Sequence, residues 1–379
     1  MTTRVDGGLL PDLRRFGATD ISACFSCGVC SATCPLSTDA GAFPRRIFRY
    51  AQLGMRDRLL SSRELWLCYG CAECSESCPQ QADPAEFMAA ARRYAVASYD
   101  RTRIARLLAT SRLFAIPFVL VLVALLAAFM YTAHGPANGQ TLALFDFIPS
   151  GLIHNLGVAV MVVFGLGALA GLAEMVRRVF RAPTRQPSTA AARRVPDAVW
   201  YSVAQESLGQ ARFRQDCADA SETQPWYSRR WFLHAATMWG FLGLLLATML
   251  DYGLELLGIK PTGTPVPIWY PVRLLGTIAG LALVYGTTVL AWRRLRRSDR
   301  SSARSTASDW TFLSLLWLSG VTGFVLELGL YLPEAPAWGY AGFLVHVAVA
   351  MALVLLAPFG KFAHAFYRPV ALFAFRLRG

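Results

Sequence analysis

The sequence predicts a mostly α-helical protein in two parts: a cysteine-rich domain of residues 1–108 outside the membrane, and a bundle of residues 109–379 that crosses the membrane six times. Three observations predict it. Only 16% of the 379 residues are charged and 55% are hydrophobic, whereas about 25% are charged in an ordinary soluble protein. Eight of the nine cysteines lie between residues 24 and 78, and long apolar runs begin only after about residue 108.

Six apolar runs account for the membrane part, since a helix needs about 20 apolar residues to cross the hydrocarbon core. They cover residues 113–133, 151–176, 231–254, 270–292, 310–331 and 338–364. Aromatic residues cluster near the ends of these runs, as they do at membrane interfaces.

The arginines predict the orientation of the six spans. Ten arginines lie between Arg177 and Arg230 and six between Arg293 and Arg304, whereas the other three connecting segments contain one basic residue, Lys260. Because positively charged loops stay on the cytoplasmic side, we expect a bacterial cytoplasmic (inner) membrane protein with both termini in the cytoplasm. The arginine-rich loops are interpreted as orientation signals and lipid-headgroup contacts, with an acidic partner as the alternative.

The overall charge excludes other classes of protein. The net charge is +13, and all but two of the 37 basic residues are arginines, the exceptions being Lys260 and Lys361. Intrinsic disorder needs low hydrophobicity. A nucleic-acid binder carries its positive charge on a polar surface, so no nucleic-acid partner is expected.

The cysteines form one pattern twice, C-x-x-C-x-x-C-x-x-x-C-P, at residues 24–35 and 68–79. This is the bacterial ferredoxin run, in which three close cysteines hold one [4Fe–4S] cluster and the fourth reaches the neighbouring cluster. One cluster is therefore assigned to Cys24, Cys27, Cys30 and Cys78, and the other to Cys68, Cys71, Cys74 and Cys34.

Zinc and disulfides are the alternatives for these cysteines. Zinc sites usually consist of two C-x-x-C pairs. The chain before the first cysteine has no apolar signal-peptide core, so the domain is expected in the cytoplasm, where disulfides are disfavoured. Cys217 has no cysteine neighbour in the sequence and is interpreted as a free thiol. Apolar residues at helical spacing predict helices over residues 44–60 and 84–107.

The five histidines stand at positions 134, 154, 234, 346 and 364. Ionisable residues inside a membrane are functional by default. His346 and His364 share the last predicted span, 18 residues or five helical turns apart, so we expect them on one face, roughly 27 Å from each other. The predicted orientation then places His154 with His346 near the outer surface, and His234 with His364 near the cytoplasm. Two haem b groups, each held by two histidines, would need this arrangement.

Each histidine taken alone has an alternative role: it forms a hydrogen bond between helices or lies at the membrane interface. His134 lies in an outer connecting segment and is the alternative to His154 as a ligand. Covalently attached haem is not expected, because the sequence has no C-x-x-C-H. Lys361 and Arg368 are expected near the inner pair, where they are candidates to contact a quinone or a haem propionate, or to anchor the chain at the membrane surface.

Two parts of the chain resemble known families. The segments CGVC at residues 27–30 and CAEC at 71–74 resemble the C subunit of heterodisulfide reductases. The segments WFLH at 231–234 and PFGKFAH at 358–364 resemble their cytochrome b subunit and, more distantly, the nitrate reductase gamma subunit. The fusion of the two modules resembles the C subunits of the quinone-interacting membrane-bound oxidoreductase complex.

This resemblance implies a helical dicluster ferredoxin-like domain followed by a six-helix transmembrane cytochrome b bundle. It implies electron transfer between soluble flavin and iron–sulfur subunits, linked to adenylylsulfate reductase, and menaquinone or ubiquinone. It carries over the eight cysteines and His234, His346 and His364, whereas His154 rests on the predicted depth in the membrane. The alternatives are an anchor of a heterodisulfide-reductase-like or other dehydrogenase complex, an anchor without haem, and a membrane redox sensor.

Overall fold

The computed structural model describes residues 4–137, 140–181, 195–216, 224–261, 266–298, 304–332 and 336–378. The chain is 76% helical, and the described ranges contain no β-strand. The mostly α-helical fold that the sequence predicts is therefore confirmed. Cys217 lies outside the described residues.

The N-terminal part consists of short helices around the cysteine loops and two longer helices that lead to the membrane part. These helices are α1 (Leu9–Arg15), α2 (Val29–Ala32), α3 (Ser37–Ala40), α4 (Arg45–Gln52), α5 (Arg56–Leu60), α6 (Glu73–Glu76), α7 (Pro84–Tyr99) and α8 (Ile104–Thr110). Helix α7 begins where its sequence predicts a start, because the Asp83 carboxylate accepts a hydrogen bond from the Glu86 N–H and Pro84 occupies the first turn.

The rest of the chain is dominated by long apolar helices, joined by shorter elements. In order they are α9 (Arg112–Tyr131), α10 (Leu144–Phe147), α11 (Ser150–Arg181), α12 (Val195–Val199), a π-helix (Trp200–Leu208), α13 (Ala211–Asp216), α14 (Arg230–Leu256), α15 (Pro271–Arg296), α16 (Ala307–Leu330), α17 (Ala337–Leu356) and α18 (His364–Arg378).

Six of these helices, α9, α11, α14, α15, α16 and α17, are long and apolar enough to cross a membrane. The predicted number of spans is therefore confirmed, and the chain is consistent with a multi-pass membrane protein. A capping box fixes the start of helix α16. The Thr306 hydroxyl accepts a hydrogen bond from the Asp309 N–H, and the Asp309 carboxylate accepts one from the Thr306 N–H.

The last predicted span differs from the structure. Helix α17 ends at Leu356, two short 3₁₀ turns follow, and α18 begins at His364. Pro358 lies in the first turn and Gly360 is fully extended, with φ −112° and ψ −159°. A proline inside a helix removes a backbone hydrogen bond and clashes with the preceding turn. The expectation that His346 and His364 share one face of one continuous helix was wrong.

Two helices predicted in the N-terminal part are also interrupted. The 44–60 segment divides at Gly54, whose φ is +66°. The 84–107 segment divides after Tyr99, because the Asp100 carboxylate accepts hydrogen bonds from the N–H groups of Thr102 and Ala105. Both breaks come from local backbone chemistry that overrides the apolar spacing.

The largest apolar core joins the two ends of the chain. It contains fully buried residues of the N-terminal helices, such as Phe48, Trp66 and Tyr99. It also contains Tyr367 and Leu372 of α18, together with the C-terminal end of α11. Helix α18 thus folds back from the membrane part and packs against the cysteine-rich part.

Candidate iron–sulfur and haem sites

The two cysteine loops adopt the same turn. In the first loop Ser26 and Gly28 have φ of +58° and +95°, and in the second loop the equivalent Gly70 and Ala72 have φ of +72° and +75°. A short helix follows each turn, α2 in the first loop and α6 in the second. The repeated cysteine spacing is therefore also a repeated backbone geometry.

The structure brings the cysteines together in the exchanged arrangement of a two-cluster ferredoxin. The thiols that act electrostatically on Cys30 are those of Cys24, Cys27 and Cys78. Around Cys34 they are those of Cys68 and Cys71. Around Cys74 they are those of Cys68, Cys71, Cys34 and, more weakly, Cys30. Cys34 thus lies beside Cys68, Cys71 and Cys74 of the second motif, and Cys78 lies beside Cys30 of the first.

A cavity lies beside the cysteines of the second group, Cys34, Cys68, Cys71 and Cys74. It has a volume of about 430 Å³ and is lined by Cys34, Cys68, Cys71 and Cys74 together with apolar residues. Leu36 and Phe43 contribute to that apolar lining. A cavity lined by four thiols and apolar side chains suits a group that needs soft sulfur donors.

Burial controls the state of the thiols. Burial and neighbouring thiols raise the pKa of Cys30 and Cys74, and burial raises the pKa of Cys34 to about 11. Iron binding deprotonates such thiols by placing positive charge beside them. Backbone N–H groups already point at sulfur: Ser26 N–H to Cys24 Sγ (3.4 Å), Gly70 N–H to Cys68 Sγ (3.3 Å) and Ala82 N–H to Cys78 Sγ (3.4 Å).

The spacing of these donors argues against a single metal ion. Within the described ranges, no three His, Cys, Asp or Glu side chains stand close enough to hold one ion. Zinc needs four ligands within about 2.3 Å of one centre. A cubane distributes four cysteines over four irons, so its cysteines stand farther apart.

The second cysteine loop lies against the membrane part. The Arg230 guanidinium, at the start of α14, donates hydrogen bonds to the carbonyl oxygens of Gly70 (2.7 Å) and Cys71 (3.2 Å). The Tyr69 hydroxyl donates to the Glu206 carboxylate (3.0 Å), and the Arg368 guanidinium lies 4.5 Å from the centre of the Tyr69 ring. Charged side chains of the membrane part thus hold this loop in place.

The structure brings His234 and His364 together. They lie on α14 and α18, and their ring centroids are 6.2 Å apart with planes inclined at 60°. Two imidazoles on opposite sides of one metal stand roughly this far apart, since each nitrogen lies about 2 Å from the metal. The pair therefore has the spacing of a bis-histidine site.

Hydrogen bonds set the tautomer of this pair. His364 Nδ1 lies 2.6 Å from the Lys361 carbonyl oxygen, so Nδ1 donates and Nε2 carries the free lone pair. His234 Nδ1 lies 3.1 Å from Gln210 Oε1. Burial, together with the nearby cations of Lys361 and Arg368, lowers the pKa of His364 to about 4. The ring is therefore neutral at pH 7, the state that binds a metal.

Aromatic rings connect this pair to the second cysteine loop. The Tyr69 and Phe213 rings stack at 5.8 Å, and the Phe213 and His234 rings meet edge to face at 5.7 Å. Phe213 belongs to α13, in a stretch whose sequence indicates only an arginine-rich loop. Its position could not be read from a pattern, because one phenylalanine in a polar segment carries no periodic signal.

The predicted outer histidines are not brought together in the same way. His154 packs against the Tyr252 ring at 4.1 Å. His346 Nδ1 lies 2.9 Å from the hydroxyl of Thr322, which itself donates to the Leu318 carbonyl. In the part of the chain that the structure describes, the His154 and His346 rings are not in contact with each other.

His134 and Gly323 complete the outer region. The His134 ring stacks on Tyr131 at 4.2 Å, and its Nδ1 lies 2.8 Å from the Tyr131 carbonyl oxygen. A Cβ added at Gly323 would lie 3.3 Å from His346 Cε1, so this glycine makes room for the imidazole. The structure therefore leaves both outer candidates, His154 and His134, packed on tyrosines.

Basic side chains surround the His234–His364 pair. Arg368 Nε and Nη2 are buried and have no hydrogen-bond partner among the described residues, and the closest carboxylate, of Glu206, is 3.8 Å from Nη2. Lys361 Nζ pairs with the Asp309 carboxylate at 2.7 Å. Buried N–H groups without an acceptor are costly, so Arg368 Nε and Nη2 suit an anionic group such as a haem propionate.

Known protein families match both parts of the chain. Residues 100–379 match the sequence profile described as citrate utilization protein B. The chain belongs to the citrate utilization protein B family. Residues 20–82 match a second profile, that of a 4Fe-4S dicluster domain, which confirms the iron–sulfur interpretation of the cysteine-rich part.

Individual relatives agree with both matches. Citrate utilization protein B of Escherichia coli is 33% identical over 157 residues, which cover 41% of this chain and 39% of the relative. The C subunit of the H(2):CoB-CoM heterodisulfide,ferredoxin reductase of Methanothermobacter thermautotrophicus is 30% identical over 63 residues, covering 17% of this chain and 34% of the relative. The iron-sulfur C subunit of the CoB--CoM heterodisulfide reductase of Methanopyrus kandleri is 38% identical over 47 residues, covering 12% and 24%.

The match thus spans about two fifths of the Escherichia coli relative and smaller shares of the others. No solved structure matches the chain. The expected similarity to heterodisulfide reductase C subunits is confirmed over the 4Fe-4S dicluster domain. The closer resemblance to the C subunit of the quinone-interacting complex stays a prediction.

Proposed function

We propose that this family member is the membrane subunit through which a quinone oxidoreductase complex exchanges electrons between soluble partner subunits and the quinone pool. The observation that carries the proposal is the His234–His364 pair beside the second cysteine loop. Two [4Fe–4S] clusters and two haem b groups would supply reversible one-electron chemistry to the chain.

The proposed cluster ligands follow the grouping of the thiols. Cys24, Cys27, Cys30 and Cys78 would hold one cluster, and Cys34, Cys68, Cys71 and Cys74 the other. The shared electrostatic environment of each set and the cavity lined by the second set support this assignment. The proposed domain division at residue 108 separates these ligands from the membrane helices.

The proposed inner haem ligands are His234 and His364. Gln210 and Lys361 would orient the two rings through their Nδ1 atoms, and Arg368 would pair with a propionate. Phe213 and Tyr69 fill the space between the pair and the second cysteine loop with aromatic rings, which excludes water there.

The proposed outer haem ligands are His346 and His154, with His134 as the alternative to His154. Thr322 orients the His346 ring, and Gly323 leaves room beside it. Fewer contacts support this second site, because the His154 ring packs against Tyr252 and not against the His346 ring among the described residues.

A cavity beside the inner pair is the proposed quinone site. Phe312, Phe362 and other apolar residues line it together with Ser308, Thr311 and Lys361. A quinone needs an apolar slot for its ring and tail and donors for its two carbonyl oxygens. The hydroxyls and the ammonium supply such donors, and either menaquinone or ubiquinone fits this chemistry.

Soluble flavin and iron–sulfur subunits are the proposed partners in the cytoplasm. The sequence resemblance to the quinone-interacting complex favours a link to adenylylsulfate reductase in sulfur metabolism. The name of the Escherichia coli relative favours a link to citrate utilization instead. Purification of the complex and identification of the copurified proteins decides between the two.

The experiment that tests the proposal is a reduced-minus-oxidised absorption spectrum of the detergent-solubilised protein. We expect b-type bands in the wild type. We expect the same loss of b-type absorbance in three variants: His234→Ala, His364→Ala and the double variant. The losses should be equal because one haem would need both histidines as ligands. His134→Ala serves as the control if His154 is the outer ligand, and it should keep the full spectrum.

Two results would contradict the proposal. One is a wild-type spectrum without b-type bands, which would leave an anchor with clusters alone. The other is a full spectrum in the double variant. Reduction of the chain by a quinol analogue, blocked by a quinone-site inhibitor and slowed in Lys361→Met, would support electron exchange over redox sensing.

A further inference from the structure

The first cysteine loop has an exposed face. The Phe25 side chain is 76% exposed, and Cys27 beside it is exposed as well. Phe25 directly follows the first cysteine of its motif, and Tyr69 occupies the same place in the second motif. The two loops share left-handed turns at equivalent positions, so each presents its aromatic ring by the same backbone geometry.

In the second loop this aromatic position is an interface. Tyr69 stacks on Phe213, donates a hydrogen bond to Glu206 and lies under the guanidinium of Arg368. Aromatic side chains are common anchors of protein–protein interfaces. Phe25 therefore has the position of an interface residue whose partner is another protein.

The charge beside the first cysteine loop indicates the chemistry of that partner. Arg45 and Arg49 are both exposed and lie one turn apart on the same face of α4. Arg45 Nη1 would lie 3.5 Å from a Cβ at Gly28, in the first loop. Arg49 Nη1 lies 3.4 Å from Gln52 Oε1, and Gln52 Nε2 donates to the Cys24 carbonyl (2.8 Å).

These two arginines form no ion pair with a carboxylate of the described residues. On the same helix, by contrast, Arg46 pairs with Glu64 at 2.9 Å. Two exposed guanidinium groups beside an exposed ring complement an acidic surface, and such charges accelerate docking.

We propose that Phe25, Cys27, Arg45 and Arg49 form the docking face for an acidic surface of a soluble redox protein that exchanges electrons with the first cluster. The inference rests on the proposed function and adds to it which loop meets the soluble partner. Tyr69 docks the second loop on the membrane part, and Phe25 docks the first loop on the partner.

Reduced flavodoxin, a small acidic flavoprotein, is the probe. Stopped-flow reduction of the full-length protein in neutral nanodiscs is followed by cluster absorbance. At low ionic strength the Arg45→Glu/Arg49→Glu variant should be reduced about 10-fold or more slowly than wild type, with a weaker dependence on salt. Phe25→Ala should raise the flavodoxin concentration for half-maximal rate several-fold, as loss of an aromatic interface residue does.

Two controls keep the test specific. Arg58→Glu makes the same charge reversal at an exposed arginine of α5, a helix that packs near α11. Flavodoxin should reduce the clusters of this variant at the wild-type rate. Dithionite, which needs no protein docking, should reduce the clusters of all variants to the same extent, which shows that the clusters are intact.

Three outcomes would overturn the proposed docking face. Flavodoxin could reduce the wild type and the double arginine variant at equal rates, or it could fail to reduce the wild type. The third outcome is that Arg58→Glu slows cluster reduction as much as the double variant does. An effect that appears only in nanodiscs with anionic lipid would also overturn it and assign the face to lipid headgroups. Failure of the proposed function is seen separately, because absence of b-type bands after dithionite leaves the flavodoxin test of the clusters unaffected.

Discussion

Ala72 shows at the scale of one residue how the cysteine loops are strained. Its φ is +75°, in the left-handed region, whereas the equivalent position of the first loop is Gly28. A side chain in this region costs about 1–2 kcal/mol relative to glycine. The second loop accepts that cost because Ala72 packs into a buried site, with only 3% of its surface exposed.

The strain predicts opposite effects at the two positions. Ala72→Gly should raise the free energy of unfolding by about 0.5–1 kcal/mol, and Gly28→Ala should lower it by about 1 kcal/mol. The space at Gly28 is open enough for a methyl group, so its cost is conformational. Denaturant titration followed by cluster absorbance measures both changes.

The control for this prediction is Ala85→Gly. Ala85 lies in the first turn of α7, where a glycine should lower stability by up to about 1 kcal/mol. Stabilisation by Ala72→Gly together with destabilisation by Ala85→Gly assigns the effect to φ. Equal losses at both positions would contradict the strain.

Helices α14 and α15 show at the scale of elements how the ligand His234 is positioned. A Cβ at Gly240 of α14 would lie 2.6 Å from the backbone nitrogen of Leu283 and 2.7 Å from the carbonyl oxygen of Ala279. A Cβ at Gly286 of α15 would lie 2.9 Å from the carbonyl oxygen of Leu233. Small residues let two membrane helices approach closely, which is where their packing energy comes from.

Gly240→Ala should therefore push α14 away from α15. Because the contact is with backbone, the added methyl cannot be accommodated by a rotamer change, and a loss of about 1–3 kcal/mol is expected. Thermal denaturation in detergent measures the loss, and a shifted b-type band would show that His234 has moved.

Gly253→Ala is the matched control, since a Cβ at Gly253 meets nothing within 4 Å and the residue lies on the same helix. This variant should be as stable as wild type or slightly more stable. A similar loss in both variants would mean that glycine content, rather than close approach, controls the stability of α14.

At the scale of the whole molecule, the iron–sulfur part and the membrane part share one core. Tyr367, Ala371 and Leu372 of α18 are almost completely buried among the N-terminal helices. The Trp66 and Tyr367 rings are 5.1 Å apart, and the Arg63 guanidinium donates to the Ala374 carbonyl at 3.2 Å. The last residues of the chain therefore stabilise the part that carries the cysteines.

Removal of residues 366–379 should destabilise the cluster loops although it leaves all eight cysteines and His364 in place. Several fully buried side chains would be lost, each worth about 1.5–3 kcal/mol of burial. We expect faster loss of cluster absorbance in air. Replacing exposed residues of α18 such as Ala365 with serine should leave that rate unchanged, and an unchanged rate in the truncated protein would contradict the shared core.

The orientation of the molecule is testable with reporter fusions. The predicted topology places the C-terminus in the cytoplasm with the cysteine loops, which belong to the same core as α18. A green fluorescent protein fused after residue 379 should fluoresce, and alkaline phosphatase inserted after residue 137 should be active. The reverse result would overturn the assignment from arginine distribution.

Local patterns in the sequence determined a large part of this description. Cluster type and count follow from cysteine spacing, because one loop wraps one cluster within a few residues. Six spans follow from apolar run length, because the bilayer thickness sets helix length. The sequence also contains the signal for the break after α17, because Pro358 and Gly360 lie inside the predicted span. The prediction of one continuous helix followed the apolar composition of residues 338–364 instead.

Only the tertiary structure decided which side chains meet. His234 and His364 are far apart in sequence and lie on separate helices, and Phe213 and Tyr69 reach them from two further segments. Depth in the membrane predicts that His234 lies near His364, and it predicts His154 near His346, yet only the first two rings meet. Depth restricts one coordinate of a side chain, whereas contact requires helix rotation and packing, which depend on the whole folded chain.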